Sequence, residues 1–182
     1  KLFPMLSCLD KEYEGVLQLG VETTSGDPMG EVTAEADAGG VEAEAVMETG
    51  RSMLGEQEQV PPMTSAVKHR GQPLYKLERK GIEVDRKARR IRIDEFDILG
   101  FEDSRVQFRT RCSKGTYVRT LAIEFGRRLG VGGHLTALRR TRIGGLSVSD
   151  ALSLEGMEDG DPRETLARHG LSLSAALSSV AS

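Results

Sequence analysis

Two stretches of the chain carry side chains whose types and spacing could do chemistry. In CSKGTYVRT (112–120), a strand-like run passes through Ser113, Lys114 and Gly115 into a helix-like one. Free backbone N–H groups at such a junction, with Lys114 beside them, could hold a phosphate. Tyr117 and Arg119 flank the helix start, but a two-residue step does not put side chains on one helical face, so they share a cleft only if Tyr117 is still in the turn. The second stretch, QVPPMTSAVKHRGQPLYKLERKG (59–81), is rich in cations and punctuated by Pro61, Pro62, Gly71, Pro73 and Gly81, as a hinged insertion requires. Other constellations are weaker. Cys112 with His134 suggests a thiol nucleophile, yet alternation makes Cys112 a sheet residue and nothing orients the pair. GVGGH (130–134) follows a helix rather than a strand, which makes it a helix end and turn, not a dinucleotide loop. His69 and His134 lack partners at ligand spacing, so no metal is expected.

The elements that must position these residues follow from periodicity. Leu17, Leu19 and Val21 alternate as a strand, and residues 25–30 form a turn. Residues 41–54 place Val41, Ala45, Val46, Met53 and Leu54 mostly at helical spacing, with Gly50 weakening the pattern. Ile91, Ile93 and Ile98 fall in one strand, and Val106, Phe108, Thr110 and Cys112 alternate in another. The linker 100–104 makes the two an antiparallel hairpin. The clearest helix is 117–129, with Val118, Leu121, Ala122, Phe125 and Leu129 on one stripe, Thr116 as its cap and Gly130 at its end. Strands with few helices and no regular βαβ alternation predict an α+β fold, a mainly antiparallel mixed sheet with flanking helices.

Composition narrows the classes. The 182 residues are 38% hydrophobic and 29% charged, which excludes a membrane span and a disordered polyelectrolyte. Two cysteines, 8 and 112, cannot build a disulfide framework or a thiolate zinc site, pointing to a reducing, cytoplasmic setting. The chain starts at Lys1 without the order of a signal peptide and reads as the middle of a longer protein. The net charge of −3 hides segments of −11 (12–58), +7 (59–92), −5 (93–104), +9 (105–142) and −4 (143–182). Two basic blocks in an acidic chain suggest a polyanion site, the rival reading being solvated faces.

KEYEGVLQLGVETTSGD (11–27), QVPPMTSAVKHRGQPLYKLERKGIEV (59–84), CSKGTYVRTLAIEFGRRLGVGGHL (112–135) and TALRRTRIG (136–144) resemble, in order, the TruB family of bacterial tRNA pseudouridine synthases. The resemblance covers residues 1–154 as a partial catalytic domain of pseudouridine synthase type. Residues 59–92 would be its thumb-like RNA-binding insertion, and 155–182 an acidic linker with a short helix, the start of a missing C-terminal RNA-binding region. It implies isomerisation of uridine 55 in the tRNA T-loop by base flipping, in the cytoplasm, as a monomer, with no metal or organic cofactor and no membrane. Tyr13 would be the tyrosine stacking on the target base, Tyr117 the second pocket tyrosine and Leu138 the apolar wall. Arg119 would be the arginine that pairs with the catalytic carboxylate. Lys68, Arg70, Lys76, Arg79 and Lys80 would meet phosphates. Without the resemblance, Tyr13 could simply end a strand, Leu138 would be core, and Tyr117 and Arg119 a packing tyrosine beside a surface arginine.

The departure matters as much as the match. The family's nucleophilic aspartate sits in a Gly-x-Leu-Asp-Pro motif before the residue matching Lys1, and the sequence contains none, which leaves Arg119 without its partner. The competing function is therefore a non-catalytic RNA-binding or tRNA-folding module. The 182-residue chain on its own is expected to release no tritium from tRNA labelled in its uracil rings; release would contradict the reading.

Overall fold

The structure is a computed structural model that describes residues 3–153, 161–172, 174–176 and 178. A short helix α1 (Phe3–Cys8) leads into β1 (Lys11–Leu19), which turns Leu17 and Leu19 inward, both nearly inaccessible. The strand starts earlier than alternation alone indicated and ends at Gly20, whose φ of 87° favours glycine. There the chain bends into a small hairpin of β2 (Val21–Thr23) and β3 (Val32–Glu35).

Helix α2 (Ala43–Ser52) precedes β4 (Gly55–Gln59), after which the chain leaves the sheet. The excursion holds a hairpin, β5 (Lys68–His69) and β6 (Gln72–Pro73), and α3 (Leu74–Glu78). Its turn residues Arg70 and Gly71 both have positive φ, and Leu74 and Leu77 are buried beneath it. The chain returns as β7 (Arg89–Glu102), followed by β8 (Arg105–Cys112), α4 (Val118–Arg128), β9 (Gly133–Ile143) and β10 (Leu146–Ser147). A helix over Pro162–His169 lies in the tail; the rest of the expected linker, 154–160, is outside the described residues.

Six strands form one sheet in the order β10-β9-β1-β8-β7-β4, every neighbouring pair antiparallel, so the expected α+β class holds. Helices α2 and α4 pack on it, against β7 and β9 respectively. Phe96 of β7 stacks on Phe108 of β8 at 5.2 Å and on Phe125 of α4 at 5.6 Å, tying sheet to helix. Gly50 of α2 is buried against Ile98, where a Cβ would lie 3.2 Å from the isoleucine, so the glycine that weakened the helical pattern serves close packing.

Three expectations change. The β7–β8 hairpin turns in two residues, Asp103 and Ser104, both with positive φ, not through a five-residue linker. A register shift between Ile93 and Glu95 breaks the alternation of β7, so Phe96, which periodicity did not single out, joins Ile91 and Ile93 in the core, with Ile98 packed against it. Thr116 does not cap α4: Tyr117 is the cap residue and has no side-chain cap bond, while Thr116 Oγ1 donates to the Ser113 carbonyl. Gly130 does end α4, at φ 76°. Among the described residues no helix is long and apolar enough to cross a membrane.

Gly126 lies inside α4, where alanine normally stabilises by about 1 kcal/mol. Here a Cβ would collide with the Gly132 backbone. Gly126→Ala should instead destabilise by about 2 kcal/mol, read as a lower denaturant midpoint.

Candidate functional site

Alternation along β1 sends Tyr13, Gly15, Leu17 and Leu19 to the helix-bearing face of the sheet. The helices cover the Leu17 and Leu19 end, and Tyr13 packs half-buried at the margin of the same core. In register with β9, Tyr13 faces Arg140 and Gly15 faces Leu138, so Tyr13 and Leu138 flank one patch. Leu138 is 45% exposed, which removes the core reading and leaves an apolar surface open to a ligand. Gly15 keeps the patch low, since a Cβ there would lie 2.8 Å from Phe108 Cζ and 2.9 Å from the Ala137 carbonyl oxygen. Burial pushes the Tyr13 phenol above its ordinary range, with Arg140 beside it pulling the other way.

Tyr117 and Arg119 stand at the start of α4, which packs on that face. Tyr117 is still extended, with φ −99° and ψ 107°, satisfying the condition under which the two side chains can share a cleft. Arg119 is not left without a partner. Its Nη1 donates to Asp27 Oδ2 at 2.8 Å, and its Nη2 donates to the Thr64 carbonyl at 3.2 Å. Leaving water works against ionisation of Asp27. That cost is outweighed by bonds donated from Ser25 Oγ, the Met29 N–H and Arg119, together with the guanidinium's charge, and the carboxyl titrates below its ordinary range. The turn carrying Asp27 is pressed onto α4 at Gly26, where a Cβ would meet Ile123. It is also bonded to β9 through Leu135 N and the Gly26 carbonyl.

At the 113–115 junction, and in the two residues after it, several of the N–H groups that could hold an anion are already bonded within the fold. Ser113 N–H donates to the Arg92 carbonyl, Thr116 N–H to Ser113 and Tyr117 N–H to Gln59 Oε1, and exposed Lys114 reaches Cys8 Sγ. The second basic block is also partly neutralised. Arg109 pairs with Glu14, Arg111 with Glu95, Arg119 with Asp27, Arg127 with Glu22 and Arg128 with Glu124. In the excursion, Lys68, Arg70, Lys76, Arg79 and Lys80 are exposed, and among the described residues none forms an ion pair; Arg79 lies over the Tyr75 ring. Two bonds tie the excursion's root to the start of α4, from Gln59 to Tyr117 and from Arg119 to the Thr64 carbonyl. Cys112 is fully buried, and burial drives its thiol up to about 11, while His134 Nδ1 bonds the Val21 carbonyl, so no thiol nucleophile forms.

Residues 1–118 match the model of the TruB family pseudouridylate synthase N-terminal domain, and residues 119–178 that of the tRNA pseudouridylate synthase B C-terminal domain. The chain belongs to the TruB family. The tRNA pseudouridine synthase B of Aromatoleum aromaticum is 49% identical over 158 residues, and that of Nitrosococcus oceani 46% over 158. Each match covers 87% of this chain and 51% of the relative, so the chain spans about half the length of these TruB proteins. Among solved structures, a Cbf5-Nop10-Gar1 complex matches with a TM-score of 0.62 and 24% identity, over 95% of this chain and 43% of that one. The archaeal box H/ACA Nop10-Cbf5 complex matches at 0.61 and 19%, over 99% of this chain and 44% of that one. These likenesses show the fold.

Within the TruB sheet the boundary between the two family models carries no structural break, because β9 pairs with β1 along its length. Two residues in the site's framework escaped the sequence reading. Asp27 sits in the quoted SGD turn, with nothing local to mark it as the partner of an arginine 92 positions away. Gln59 opens the second motif, with no charge to draw notice.

Asp27 carries a depressed pKa in the folded chain, so its contribution to stability is present above the unfolded carboxyl's value of about 4 and is lost as pH falls through the folded one. Asp27→Asn should lower the unfolding midpoint at pH 7, with the gap to the unsubstituted chain closing below pH of about 4. A gap that is constant with pH would contradict the ion pair.

Proposed function

We propose that this chain forms the body of a tRNA pseudouridine synthase that isomerises uridine 55 of the T stem-loop. Membership of the TruB family carries the reading, and two features support it: the open Tyr13–Leu138 patch and the Arg119–Asp27 pair at the start of α4. In such a reaction the base must leave the stack, its N1–C1′ bond breaks, the ring turns, and C5 bonds to C1′. The C5 hydrogen passes to solvent while N1 takes up a proton. Extrusion costs a few kcal/mol, which an aromatic face and an apolar wall repay. Tyr13 supplies the face and Leu138 the wall. Tyr117 borders the flipped nucleotide. Arg119, held by Asp27 and the Thr64 carbonyl, presents a fixed positive charge toward the carboxylate the family uses as nucleophile.

The excursion acts as the thumb over the RNA backbone. Its cations Lys68, Arg70, Lys76, Arg79 and Lys80, free of ion pairs among the described residues, neutralise phosphates, giving affinity without base information. Arg79→Glu with Lys80→Glu should weaken binding of a T stem-loop RNA and lower the steepness of its salt dependence by about one for each phosphate no longer neutralised. An unchanged affinity and slope would remove the thumb from the binding surface.

A further inference from the structure

We propose that Gln59 is a positioning residue of the base pocket, its carboxamide fixing the Tyr117 peptide at the start of α4. The proposal rests on the reading of Tyr117 and Arg119 as pocket residues. Gln59 ends β4 and is 6% exposed. Its Oε1 accepts from Tyr117 N–H at 2.7 Å and its Nε2 donates to the Tyr117 carbonyl at 3.1 Å. The two bonds clasp both polar groups of one residue, so they fix its orientation as well as its position. Tyr117 needs such a clasp: it is the cap residue of α4, extended and without a side-chain cap, and its carbonyl also accepts the first helical bond, from Leu121 N. The contact is a capping box supplied across the sheet, with a glutamine 58 residues upstream returning to the cap N–H.

The clasp also has a direction. Gln59 is the last sheet residue before the thumb, and five residues later the Thr64 carbonyl accepts from Arg119. The thumb's root therefore holds both Tyr117 and Arg119.

Amide hydrogen exchange tests this on the chain itself, together with affinity for a T stem-loop RNA. Gln59→Met keeps the side chain's length and removes both bonds; Gln59→Glu keeps the acceptor and removes the donor. Protection of the Tyr117 amide should fall about tenfold or more in Gln59→Met and less in Gln59→Glu, with the amides of Leu17 and Phe108 retained. RNA affinity should fall several-fold in the same order. Unchanged Tyr117 protection, unchanged affinity despite lost protection, or an equal loss across β1 and β8 would overturn the proposal. Failure of the unsubstituted chain to bind the RNA would overturn the reading of the pocket instead, and the exchange arm, which needs no RNA, tells the two failures apart.

Discussion

The guanidinium of Arg119 joins three segments that the chain brings in from far apart: helix α4, the turn at 25–27 and the thumb root at Thr64. A guanidinium has five fixed donors and no acceptor, so it is stable in a partly buried place only where several oxygens surround it. About a quarter of the side chain remains exposed, and Asp27 beside it is equally shielded. At that depth the cost of leaving water is substantial, and it is offset only while both charges keep their partners. Removing Asp27 would strand the cation. The turn would keep only the 3.5 Å contact of the Ser25 carbonyl among its bonds to Arg119, and the guanidinium would be left with carbonyl partners alone. The three segments meet at that one group.

The patch exists because the helices cover one end of the sheet face and leave the other. Leu17 and Leu19 lie under α4 with Phe108 and Phe125 in a single core, whereas Tyr13 and Leu138 reach beyond it. Gly15 between them lets the buried Phe108 ring approach the surface without a side chain above it. The electrostatic division follows the same geography. Acidic residues of the first half neutralise arginines of β8 and α4 across strands, and Lys68, Arg70, Lys76, Arg79 and Lys80 of the excursion stay free of ion pairs among the described residues. An acidic chain can thus carry a locally basic surface, since the potential at a site follows local rather than net charge.

How much of this was legible in the sequence depended on whether the signal was local. Helix α4 was readable because its stripe repeats at helical spacing and Gly130 closes it. The β7–β8 hairpin was readable from alternation, but not its turn, since Asp103 and Ser104 adopt positive φ without a glycine to announce it. Strand β9 was missed because only its first residues are buried, and LRRTR, lying largely beyond the helices, has no apolar alternation to show. Tyr13, Tyr117, Leu138 and Arg119 came from the family resemblance and not from periodicity. Asp27 and Gln59 depend on tertiary contacts across 92 and 58 residues, which no local pattern encodes.

The central claim is that an extruded pyrimidine rests against the Tyr13–Leu138 patch. The most direct measurement is photo-cross-linking of a T stem-loop RNA carrying 5-iodouridine at position 55, followed by mapping of the attached peptide. The account predicts attachment at Tyr13 or Tyr117, lost on Tyr13→Ala or Tyr117→Ala respectively. Cross-links confined to the thumb, residues 68–80, would contradict it.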